Sequence, residues 1–138
     1  MLNADQERFL RATLGVVEGE LINLRRLLLK DEEERLFLHT VDDLTQQEKQ
    51  RLVEKVDRLK AHMLHLKNLF GLEPGERSVR RMVKAASVYL AVDLEETMSD
   101  RLRGRGEVAP DIKETLDPVL KKMISLVRDM ELCMDSDL

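Results

Sequence analysis

The sequence predicts an all-α protein, an up-and-down antiparallel four-helix bundle, on three observations. The first is a 4-3 alternation of apolar residues in three separate segments. Leu10, Leu14, Val17, Leu21, Leu24 and Leu28 carry it first, then Leu52, Val56, Leu59, Met63, Leu66 and Phe70. Ile112, Leu116, Val119, Met123, Leu126, Met130 and Cys133 carry it last. That spacing lays one apolar seam along a helix, which a lone helix cannot bury. The second is composition: aromatics are 3% and Trp is absent, so Leu, Met and Val stock the core, as helix packing prefers. The third is punctuation. Gly71 with Glu73-Pro74-Gly75, and Gly104-Arg105-Gly106 before Pro110, divide the chain into segments of helix length. The spans expected are 3–30, 46–70, 76–103 and 110–134, in one domain over 1–138.

Each element has its own signals. Asn3 with Gln6 three residues on opens helix 1 as a capping pair. Its end carries no Gly or Pro, and the acidic run Asp31-Glu-Glu-Glu-Arg35 argues for a stop near 31, because acids disfavour a helix C-terminus. Leu36, Phe37 and Leu38 then read as a small apolar plug. Thr45-Gln-Gln-Glu48 is a capping box for helix 2, and Gly71 followed by apolar Leu72 marks its end. Helix 3 starts between Pro74 and Ser78 and continues to Arg103. It is apolar around most of its circumference, with Arg80, Lys84, Ser87 and Glu95 as a polar face that Ala91 interrupts, and with Met82, Ala86 and Tyr89 inward. A helix apolar nearly all round is covered on more than one side, so Val88 and Val92 are expected at a homodimer interface. Helix 4 opens at Pro110 and keeps its phase through Pro118, which predicts one helix kinked there. The tail from Asp135 to Leu138 is expected to fray.

The bulk numbers exclude some functions. A net charge of −4 offers no broad basic field for nucleic acid, and stacking aromatics are few. A single cysteine, Cys133, in core phase excludes an internal disulfide and the usual zinc frameworks. No signal-like leader is seen, and no run approaches roughly 18 apolar residues. The expectation is a cytoplasmic protein with no membrane, nucleic acid or cofactor.

Candidate chemistry is sparse. Asp93, Glu96 and Asp100 fall in line on a continuous helix 3, a carboxylate stripe of the kind that holds a hard divalent cation. Lys49, at a core-phase position, and Arg25 are its expected salt-bridge partners otherwise. His62 and His65 share a face of helix 2, His62 flanking the core and His65 toward solvent. Arg77, Arg80, Arg81 and Lys84 crowd the start of helix 3, the unfavourable end of its dipole, and so suggest a docking patch for an acidic surface or a phosphate. Arg101, Arg103 and Arg105 crowd its end, where the dipole favours them. No glycine-rich phosphate loop occurs, and Ser/His/Asp or Cys/His catalysis has no support.

Ala61-His62-Met63-Leu64 resembles the start of the histidine phosphotransfer signature, which implies a phosphoryl carrier on a helical bundle. That family continues with Lys and Gly, where this chain has His65 and Leu66. The R-x6-H spacing of Arg58 and His65 is similar to that of helical HEPN ribonucleases. The stripe, with Glu54-x-x-Asp57, is similar to all-α pyrophosphohydrolases of the MazG type, which face two such pairs across a metal. The expected function is a non-enzymatic protein-interaction, adaptor or regulatory module, self-associating through helix 3 and binding an unidentified protein. A carrier phosphorylated on His62 or His65 comes second. A metal-dependent phosphohydrolase using Asp93, Glu96 and Asp100 comes third.

Overall fold

The computed structural model describes residues 1–31 and 33–135 and is helical throughout its regular elements, with no strand among the described residues. The order is α1 (Ala4–Leu28), α2 (Gln46–Phe70), α3 (Val79–Glu95), α4 (Ser99–Leu102), a 3-10 turn (Arg103–Arg105) and α5 (Pro110–Asp135). The helices gather into two compact units, Met1–Gly75 and Glu76–Leu138. Glu32, within the acidic run, and Ser136–Leu138, in the expected frayed tail, lie outside the described residues.

In the first unit α1 and α2 pack antiparallel. Asn3 and Gln6 cap α1 reciprocally, and Thr45 and Glu48 do the same for α2. Two orphan N–H groups are satisfied at each start, as the sequence signalled. The α1 terminus closes without a glycine. Lys30 takes the left-handed conformation at φ 58°, its N–H donates to the Leu27 carbonyl, and the Asp31 N–H donates to Arg26. That is a Schellman closure with lysine where glycine is usual, so no glycine announced it. Gly71, at φ 62°, closes α2 in the expected way and delivers Leu72 into the core. Leu21, Val56 and Leu72 are buried, while Leu10, Leu14, Met63, Leu66 and Phe70 are half-buried. Arg25 reaches Asp57 at 3.3 Å, and Arg11 donates to the Glu73 carbonyl at 3.4 Å. The expected plug is corrected: Leu36, Phe37 and Leu38 are all exposed, Phe37 to 93%.

In the second unit α3 and α5 pack antiparallel, with α4 against α5. Ser78 caps α3 by accepting from the Arg81 N–H. The expectation of one helix over 76–103 is overturned at its far end. The ladder stops at Glu95, the Thr97 hydroxyl donates to the Leu94 carbonyl at 2.7 Å, and helix resumes only at Ser99. The physical cause is Asp117, across on α5. Its carboxylate accepts the Ser99 N–H at 2.9 Å and the Ser99 hydroxyl at 2.6 Å, both buried. Met98 has no capping side chain, so Asp117 supplies the N-terminal acceptor for α4 from another helix. By contrast α5 begins at Pro110 as expected and includes Pro118.

The buried faces of this unit differ from the predicted ones. On α3 the inward strip is Val83, Ser87, Ala91 and Leu94, with Ser87 fully buried, whereas Met82, Ala86 and Tyr89 are exposed. The supposed polar face is the packing face. Small Ser87 and Ala91 admit the neighbouring backbone, and the Ser87 hydroxyl satisfies itself on the Val83 carbonyl at 2.8 Å. On α5 the buried strip is Asp117, Leu120, Ile124 and Val127. Val119, Met123, Leu126 and Met130 of the predicted seam are exposed, and so is Cys133. Two apolar strips run side by side on α5, and helix periodicity alone does not rank them.

Candidate interaction surface

The basic residues at the start of α3 follow from the antiparallel pairing. Arg80 donates to the Met134 carbonyl and Lys84 pairs with Asp135, both at the end of α5. Cations placed on exposed carbonyls at a helix C-terminus complement its dipole. The cluster is at the unfavourable end of its own helix and the favourable end of its neighbour. At the other end Arg128 of α5 reaches Glu95 at 3.2 Å. Of the expected docking patch, Arg77 touches the Met82 sulfur at 3.4 Å and Arg81 is exposed. Arg101 lies on α4 and Arg103 and Arg105 on the 3-10 turn, all beyond the end of α3, so the dipole of α3 does not account for them.

The carboxylates do not form the predicted stripe. Asp93 is on α3, Glu96 on the cap after it and Asp100 on α4, and all are exposed. The break at 96–98 removes the continuous phase that aligned them. Among the described residues no three His, Cys, Asp or Glu side chains form a metal-holding group. Lys49 pairs with Asp42 and Arg25 with Asp57, both within the first unit. His62 and His65 are both exposed on α2, beside the half-buried Met63 and Leu66.

The first unit holds an open cleft of about 580 Å³ between the end of α1, the start of α2 and the connection. Leu28, Leu38, Val41 and Leu44 line it together with Lys30, Lys49, Asp42 and His39. Asp42 accepts from Lys49 and, at 3.2 Å, from Lys30. The Lys49 hydrogen bond, chiefly, holds the Asp42 carboxyl below its ordinary value, against a desolvation that raises it. Asp42 and the two lysines satisfy one another there. Sequence reasoning marked Lys49 as a charge in core phase but not Asp42 as its partner, since only the fold of the connection brings them together.

What stands out is apolar surface without a cover in its own unit. On α5, Val119, Met123, Leu126 and Met130 form one strip, with Leu126 64% exposed. On α3, Val79, Met82, Tyr89 and Leu90 are open, as are Val88 and Val92, each about half exposed. At 100° per residue Val88 and Val92 lie on one flank of the packed face of α3, and Val79, Met82 and Leu90 on the other. Scattered apolar residues on a surface are ordinary, whereas here they form rows on both helices of the pair. No protein-family model, curated protein or solved structure matches this chain.

Proposed function

We propose that this chain is a non-enzymatic protein-interaction module, an adaptor or regulatory protein that self-associates and binds a further protein in the cytoplasm. The observation that carries the reading is the second apolar strip of α5, exposed beside the open flanks of α3 that include Val88 and Val92. Apolar area left in water disfavours the isolated state by roughly 25 cal/mol per Å², so such rows act as sites of association. Self-association belongs to the same proposal, with the α3 flank of Val88 and Val92 and the outer strip of α5 as its two candidate faces.

The test is a native pull-down of the tagged full chain, repeated with Leu126→Asp. A stoichiometric protein partner lost in the variant supports the module. Recovery of the chain alone in both overturns the adaptor role. A second reading rests on the exposure of both His62 and His65, which a phosphoryl carrier requires. It expects acid-labile phosphate on one of them after incubation with a phosphodonor and a response regulator, and absence of label removes it.

A further inference from the structure

Val119, Met123, Leu126 and Met130 on the outer strip of α5 keep a 4-3-4 spacing, the alternation of a coiled-coil seam that the buried strip of the same helix also follows. In heptad terms Met123 and Met130 are a positions, and Val119 and Leu126 are d positions. The e positions Leu120 and Val127 are already buried within the second unit. The g positions, on the open side, are Lys122 and Asp129. Both are exposed, and neither has an ion pair or hydrogen bond among the described residues. They stand two turns apart, about 10.5 Å at 1.5 Å per residue, too far to pair with each other on one helix.

We infer that a second copy of the chain covers this strip, with the two α5 helices antiparallel and Lys122 of each beside Asp129 of the other. This rests on the self-associating reading above and moves the interface from Val88 and Val92 to α5. The register follows from the pattern. When Met123 faces the second copy's Leu126, Val119 faces the second copy's Met130, and two-fold symmetry repeats both layers. Lys122 immediately precedes Met123, and Asp129 follows Leu126 by three residues. The same alignment therefore sets the unpartnered lysine against the unpartnered aspartate, twice. A parallel pair would instead set Lys122 against Val127, which is buried in its own unit. Opposite charges at g fix orientation and register even where each pair adds little affinity.

The experiment is light scattering on the full chain and on Lys122→Asp, Asp129→Lys and the double exchange, with helicity followed by circular dichroism. The wild type should show about twice the 16.0 kDa chain mass at micromolar concentration. Each single reversal opposes like charges twice and should weaken the dimer on the order of tenfold, and the double exchange should restore it. A wild-type dimer whose mass is insensitive to the single reversals, or a double exchange no better than they are, overturns the α5 register and leaves self-association standing. Val88→Asp with Val92→Asp then reads the α3 face. A wild-type monomer overturns both the register and self-association, while the pull-down still decides the module.

Discussion

Gly15 and Gly19 stand inside α1, and a Cβ built on either would meet nothing within 4 Å. Neither has the positive φ that would require glycine. Glycine in a helix interior costs about 0.5–1 kcal/mol relative to alanine, through backbone entropy in the unfolded chain. Gly15→Ala and Gly19→Ala should each raise stability by about that amount, measured as a higher thermal midpoint with unchanged helicity. Lys30 makes the opposite case at the same scale. Its backbone sits where glycine is comfortable, and its side chain reaches Asp42, so a residue of poor local preference is kept at the C-terminal closure of α1.

At the scale of elements, the shortest helix depends on a residue of the longest. α4 is four residues long and has no side-chain cap of its own. Asp117 gives it one from α5, and the hydrogen bonds from Ser99 hold that carboxyl below its ordinary value of 3.8. A lowered carboxyl pKa means the folded state binds its proton less readily than the unfolded state does. The stabilisation is fully present above the ordinary value and is lost as pH falls through the lowered one. Asp117→Ala should therefore lower the thermal midpoint at neutral pH, and the gap to wild type should close in acid. A gap independent of pH would mean that packing, not the carboxylate, holds α4. The α3–α5 pair shows the same economy of small groups. Ser87 and Ala91 make room between the helices, and Arg80, Lys84 and Arg128 seal the two ends.

At the scale of the whole molecule, the apolar side chains buried among the described residues are Leu21, Val56 and Leu72 in one unit and Leu120, Ile124 and Val127 in the other. Large residues such as Phe9, Leu126 and Leu132 are exposed. A partner that binds the folded chain and not the unfolded one stabilises it by mass action. If that partner is a second copy, the thermal midpoint should rise as concentration is raised from about 1 to about 100 μM. A midpoint independent of concentration would count against self-association.

The sequence by itself determined where α1, α2 and α5 begin and which signals start them. Asn3, Thr45 and Pro110 act through the nearest backbone N–H groups or a fixed φ, and Gly71 closes α2 by its own conformation. Such causes lie within one turn, so no distant residue is needed to read them. It also determined that α1, α2 and α5 each carry an apolar seam. Which strip of α5 is buried, which face of α3 packs, and where α3 stops were decided only in the tertiary structure. Lys30 could be read as a helix end only from its backbone angle, and the partners Asp42 for Lys49 and Asp57 for Arg25 only from the folded pair. The candidate surface was half legible: its α5 residues were all in the predicted seam and Val88 and Val92 were read as an interface, but the exposure of the α5 residues was not. Periodicity fixes which side chains share a face. The choice between adjacent faces depends on whether small residues let a neighbour approach and on charges meeting across helices. Asp117 and Ser99 are 18 residues apart, and only packing brings them to 2.6 Å.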